Sequence, residues 1–399
     1  MPVTPVPPVR PDRHPRRGFI AAAVSFTTIF AAGGIAIPLY DTYRAEDGVT
    51  NTDLARVAVV YMLAAVVGLV VLGRLSDYLG RKAVSIAALL VAAAGCLVFL
   101  TVHSVVALIV GRGLQGLAAG LASSALAAYA VDTAPKRPAW LLPAVTSAAT
   151  TVGLSAGAFT SGVLVEFGPS PRMLVFVVFA AMLIAAVVWI FYGPETVTRR
   201  KGVVRSLVPA MTLPASARPY LPASAAVFAS TWALGGYYQS FGPSVAADDL
   251  SSDSAVVAAA VFASYMAPVI LGGPVTTKLT PIAAQRFGMI LVFGCAAGLV
   301  TALSLGNTLL FIGSGVVGGI GMGAGMSGSM RLLLPTAGLH ERAGLLSVIY
   351  ALSYTGAALP SLITGQLVRF RSLLDVTVGY TVLVGAALVL VLATGRRST

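Results

Sequence analysis

Long apolar runs follow one another along nearly the whole chain, parted only by short polar connectors. A stretch of ~20 mostly apolar residues is what one α-helix needs to cross the hydrocarbon core of a bilayer. Lipid offers no partners to backbone N–H and C=O groups, so a spanning chain is either helical or a closed barrel. The runs here are continuous rather than alternating, which selects helices. Charged residues make up only 10% of the 399 and apolar ones 57%, too little charge to coat a soluble protein of this length. The expected class is an all-α polytopic membrane protein.

Twelve spans are expected, at 18–40, 53–72, 83–101, 105–131, 140–165, 173–192, 220–245, 255–277, 287–305, 308–334, 343–368 and 376–394. The basic residues orient them. With the N-terminus in the cytoplasm, 20 of the 26 basic residues fall in cytoplasmic connectors and tails, and five (Arg44, Arg56, Arg172, Arg369, Arg371) fall outside. That asymmetry is the positive-inside pattern, and it places both termini in the cytoplasm. The net charge of +12 is therefore spread over alternate connectors rather than gathered on a face that binds nucleic acid. Residues 1–17, rich in Pro and Arg, read as a disordered cytoplasmic tail. Residues 194–218 carry five basic residues and read as a cytoplasmic linker between an N-terminal six-helix half, 18–193, and a C-terminal one, 219–399. The halves echo one another. Gly111–Gly116 aligns with Gly313–Gly318, and Gly153–Val165 with Gly356–Val368, as expected of two repeated halves.

The connector between the second and third spans is G-R-L-S-D-Y-L-G-R-K, Gly73 to Lys82, with four charges in a short hairpin. Gly73 permits close backbone approach and Gly80 a tight turn. Asp77 is an anion able to cap a helix N-terminus, and the helix starting near Ala343 is the expected partner. Arg81 is placed to pair with Asp132 at the end of the fourth span, in a contact expected to form and break with the cytoplasmic gate. This loop, with Lys82, resembles the signature loop of the major facilitator superfamily at each defining position. The resemblance implies twelve helices in two pseudo-symmetric halves that move a small solute by alternating access.

Two further segments resemble motifs of that superfamily. G-R-G-L-Q-G in the fourth span carries Arg112 about 10 Å deep at 1.5 Å per residue, with Gln115 on the same face. A charge at that depth marks function. Arg112 either sets the charge of a nearby carboxylate, holds an anionic group of the substrate, or pins backbone carbonyls. G-L-S-A-G-A-F-T-S-G resembles the fifth-helix motif of exporters through Gly153, Gly157 and Gly162, with Ala158 where that motif has proline. Its glycines suit tight packing and sliding against the other half. P-E-T at Pro194–Thr196 is a weaker likeness to the same group.

Candidate substrate contacts are Tyr61, Trp232, Tyr237, Tyr238, Gln239, Tyr265, Tyr350 and Tyr354, aromatic or polar side chains suited to an amphipathic ligand. Core packing is the other reading of such a set. Asp41 is the leading candidate for carrying a proton, with Arg112 tuning it, and Asp132 and Glu166 follow. The resemblance implies an exporter of a lipophilic or amphipathic drug or metabolite running in exchange for protons, or alternatively a proton-coupled importer or facilitator. A monomer in a bacterial inner membrane, with no cofactor and no metal, is expected. An enzyme is disfavoured: His14, His103 and His340 are scattered, and no nucleotide loop or paired acids occur. Cys96 and Cys295 lie within apolar runs, as small buried residues do.

Overall fold

Helices are dictated by the apolar runs, and their ends by caps and prolines. The computed structural model describes residues 15–135, 141–208, 213–250, 252–338 and 341–394. Most of the expected N-terminal tail, Lys136, Arg137, Arg396 and Arg397 lie outside the described residues. Among these residues there is no strand.

The first half comprises α1 (Pro15–Gly34), α2 (Tyr40–Asp47), α3 (Asn51–Val70), α4 (Leu75–Leu79), α5 (Arg81–Phe99), α6 (Val105–Thr133), α7 (Leu141–Phe167) and α8 (Leu174–Phe191). The linker holds the short α9 (Val203–Ser206). The second half comprises α10 (Leu221–Ser244), α11 (Ala255–Met266), α12 (Val269–Val275), α13 (Pro281–Leu305), α14 (Thr308–Leu333), α15 (Arg342–Leu367) and α16 (Leu373–Thr394). Ten spans are long and apolar enough to cross a membrane, counting α1–α2 as one and α11–α12 as one. With α7 and α10, of 27 and 24 residues, the spans number twelve.

Two expected continuous spans are broken. Pro38 sits in a 3-10 turn, Ile37–Leu39, that divides α1 from α2, because proline has no N–H to donate and disfavours helix in the residue before it. Asp41 therefore lies in a separate short helix at the far end of the first span. Pro268 divides α11 from α12 in the same way. Elsewhere side chains set the boundaries. Thr50 and Asp53 form a reciprocal capping box at α3, and Ser104, Ser254, Thr280 and Asn307 each accept a backbone N–H at the start of α6, α11, α13 and α14, satisfying donors the helix leaves unpaired.

Within the first half α6 packs on α1, α3 and α5; within the second α14 packs on α11, α12 and α13. The halves meet chiefly through α3 with α15 and α7 with α11. Small residues bring the backbones together. A Cβ at Gly116 or Gly120 would strike the carbonyls of Tyr61 and Ala65 on α3; one at Gly319 or Gly323 would strike those of Tyr265 and Val269. The repeat is thus real, but one residue out of the expected register: Gly116 corresponds in packing to Gly319, not Gly318. In a bilayer such close approach supplies the van der Waals contact that holds helices together. The start of α1 and the end of α16 lie on one face of the bundle, called here the near face, and the connector between α2 and α3 lies on the far face.

Candidate functional site

On the near face the chain turns between α3 and α5 through α4. Gly80 has φ +100°, a conformation that glycine alone enters freely, and a Cβ there would collide with the Glu195 carboxylate. Glu195 accepts the backbone N–H of Arg81 at 2.9 Å and that of Lys82 at 3.3 Å. It thus caps the N-terminus of α5, where unpaired N–H groups and the macrodipole favour an anion. Asp77 pairs with Arg81 at 2.5 Å, and Arg81 also reaches Asp132 at 3.3 Å. Thr196 donates to Asp132 at 2.8 Å, and Lys82 to the Gly193 carbonyl at 3.2 Å. Among the described residues Asp77 meets Arg81 on its own loop; residues 339 and 340, just ahead of the helix start expected to receive it, lie outside the described residues. Arg81 and Asp132 do meet, but both belong to the first half, so their contact braces the loop against α6 rather than crossing the interface. Glu195 is the residue that sequence reading missed; its only signal was the P-E-T triplet.

Arg112, on α6, is wholly buried, the only charged residue so placed among the described residues. Its Nη1 donates to the Gly33 carbonyl at 2.5 Å and to Gln115 Oε1 at 3.1 Å, and Gln115 Nε2 donates to the Ala32 carbonyl at 2.7 Å. These carbonyls belong to the last turn of α1, where helix termination at Gly34 leaves them without intrahelical donors. Arg112 and Gln115 together pin α6 to that break. The Tyr61 ring covers the guanidinium, 4.3 Å from ring centre to its central carbon. Arg112 Nε and Nη2 have no hydrogen-bond partner, nor does the buried Tyr40 hydroxyl, which lies within range of the Arg112 charge.

The expected link between Arg112 and Asp41 is corrected. Asp41 accepts from Arg44 at 2.9 Å, and the same guanidinium binds Asp248 of the second half at 2.8 Å. Asp41 is 37% exposed and lines a far-face depression with Arg44, Asn51, Asp248 and Asp253. Arg44, rather than Arg112, is the cation that Asp41 meets, and through Asp248 it ties this end of the first half to the second. Thr52 donates to the Gly365 carbonyl at 2.6 Å, and Ser244 to Asn51 Oδ1 at 2.8 Å. Glu166 accepts from Ser254 at 2.5 Å and from the Val256 N–H at 3.0 Å, at the start of α11. These hydrogen bonds between the two halves all lie at the far rim.

The aromatic candidates divide in two. Tyr238 stacks on Tyr265 at 4.9 Å, and Tyr237 meets Tyr380 at 5.1 Å and Thr377 through its hydroxyl; Tyr265 donates to the Thr231 carbonyl. All three are fully buried within the second half, which corrects their expected place along the solute path. Trp232 and Tyr354 meet each other at 5.1 Å, and Tyr350 is half-buried one turn from Tyr354. Tyr61, on α3, lies over the Arg112 guanidinium. Gln239 is nearly buried on α10. The glycines of α7 divide likewise. A Cβ at Gly153 or Gly157 would strike α1 of the same half, at Thr27, Phe30 and Ala31, and only Gly162 faces the other half, against Ala255 and Ala259 of α11.

Comparison with known proteins agrees with this architecture. An uncharacterized MFS-type transporter of Mycobacterium tuberculosis is 31% identical over 154 residues, 38% of this chain and 22% of that protein. An uncharacterized MFS-type transporter of Methanocaldococcus jannaschii is 25% identical over 148 residues, 37% of this chain and 38% of that one. The chain thus spans well under half the length of the curated relatives it matches. The crystal structure of the nucleoside transporter NupG superposes with a TM-score of 0.70 at 14% identity, covering 96% of this chain and all of that one, a likeness of fold. Residues 19–361 match the model of the Major Facilitator Superfamily, and this chain, a multi-pass helical membrane protein, belongs to that family.

Proposed function

We propose that the protein exports a lipophilic or amphipathic small molecule by alternating access, in exchange for protons, across a bacterial inner membrane. One observation carries the alternating-access reading: the described hydrogen bonds between halves gather at the far rim, while Trp232 and Tyr354 meet below it. A bundle sealed at one end and built of two packed bodies changes access by opening that rim and closing the other. The surfaces below the rim are aromatic with polar tips, suited to an amphipathic guest. The partial exporter motif, Gly153 to Gly162, supports outward movement. The positive-inside pattern makes the near face cytoplasmic.

Reconstitution in liposomes tests both parts. Flux of an amphipathic solute should rise when a pH difference is imposed, and a flux indifferent to that gradient sinks proton exchange. Single cysteines placed near Arg200 and near Asp248 should react from opposite sides of intact cells; reaction from one side overturns the twelve-span orientation.

A further inference from the structure

Arg112 lies on α6, its guanidinium under the Tyr61 ring, and this inference rests on the proposed transport of an amphipathic solute. The residue is fully buried, and among the described residues no carboxylate is buried with it. An ionised group taken out of water without a counter-charge is costly. Two of its contacts are accounted for: Nη1 serves the Gly33 carbonyl and Gln115. The nitrogens left over, Nε and Nη2, are not a random pair. They share one edge of the planar guanidinium, the edge that presents two parallel N–H groups to both oxygens of a carboxylate. Tyr40 adds a third donor, since its hydroxyl is buried and unpartnered and the Arg112 charge acts on it. Tyr61 lies over the face of the guanidinium, which leaves the edge itself uncovered by that ring.

We infer that the free edge of Arg112, with the Tyr40 hydroxyl, is the receptor for a carboxylate on the transported molecule, so that the substrate is an amphipathic organic anion rather than a lipophilic cation. The carboxylate supplies the missing counter-charge, the Nη1 bonds to Gly33 and Gln115 hold the guanidinium plane in place for it, and the apolar body of the solute rests on Tyr61, Tyr354 and Trp232. An isolated buried cation repels a cationic guest in the same position by the same physics.

The test uses the purified full-length chain and matched probes: 1-naphthaleneacetate, benzoate, octanoate and cholate, their uncharged amides, and tetraphenylphosphonium. Binding is read by thermal shift and by titration calorimetry. Carboxylates should bind in preference to their amides and to the cation, and the preference should fall about tenfold or more in Arg112→Gln, the scale of a lost charge-assisted pair. Because Arg112 also pins α1, Tyr40→Phe is the companion variant: its hydroxyl has no protein partner to lose, so the fold should stand while carboxylate affinity drops about threefold to tenfold. The absence of any carboxylate preference across the panel, through equal binding or through none, overturns the inference, as does a preference that survives both variants. Flux in liposomes separates the two readings. Gradient-driven export of tetraphenylphosphonium, untouched by Arg112→Gln, leaves proton-coupled export standing and removes the carboxylate receptor. Arg112-dependent carboxylate binding with flux blind to pH keeps the receptor and removes proton exchange.

Discussion

Arg44 holds two carboxylates at once, one from each half, and this makes it the residue on which the far seal turns. The three side chains are partly exposed, at 22%, 37% and 45% for Arg44, Asp41 and Asp248, so each pair contributes on the scale of surface ion pairs, about 0.2–1 kcal/mol. That is small for folding but moves a balanced equilibrium up to several-fold. Asp248→Asn should leave insertion intact and raise the reactivity of a cysteine introduced at Ala259, on the α11 face that Gly162 covers. Arg44→Gln should do the same, and the double variant should add little beyond either single one. Additive effects would show that the bridge is not one unit. Arg112 could be read from sequence because a charge in a long apolar run has few explanations. The second partner of Arg44 could not be read: Asp248 lies 204 residues away in the other half, and no local spacing reports such a pair. The break at Pro38, which moved Asp41 out of the long first helix, was visible as a proline but was read as lying within a span.

At the scale of helices, the twelve apolar runs predicted the twelve spans because length and composition suffice for that. The faces of the helices were not legible. Lipid and protein interior are equally apolar, so a buried and a lipid-facing side share one composition. That is why Tyr237, Tyr238 and Tyr265, on the inner side of the second half, could not be told from Trp232 and Tyr354 at the interface. The glycines of α7 follow the same rule, and their two roles predict two phenotypes. Gly157→Val places a side chain against the Ala31 backbone and should prevent correct packing, costing about 1–3 kcal/mol or more, seen as lost yield and early thermal unfolding in detergent. Gly162→Val collides only with α11 across the interface. It should leave thermal stability near normal while blocking closure of the far rim, so that solute binds and flux is lost. Equal loss of stability in both variants would contradict the division. On the near face, Glu195→Gln keeps the shape of the cap on α5 but removes its charge. The change should cost about 0.3–1 kcal/mol and free the 73–82 loop, measurable as faster amide hydrogen exchange at Arg81 and Lys82 with little change elsewhere.

The whole molecule is two six-helix bodies whose described hydrogen-bonded contacts lie at one end. The repeat that relates them was legible from Gly111–Gly116 and its counterpart, and packing moved it by a single residue. In the second half the loop corresponding to 73–82 lacks the acid, so the bracing by Asp77, Arg81 and Glu195 is one-sided. The far rim is the joint between these bodies, and it can be locked. Asn51 on α3 and Ser244 on α10 meet at 2.8 Å, and the natural cysteines, Cys96 and Cys295, are buried, so they should be slow to react. In the double variant Asn51→Cys, Ser244→Cys a short bifunctional thiol reagent should join the halves when the rim is closed. Joined, the bodies cannot part at that end, so solute reaching the site from the near face has no exit. Binding should persist, transport should stop, and reduction of the cross-link should restore it. Each single variant treated with the same reagent should still transport, which separates locking from mere modification. Transport that continues through a locked rim would mean that the contacts at Arg44, Thr52 and Glu166 are structural staples and that solute leaves by another route.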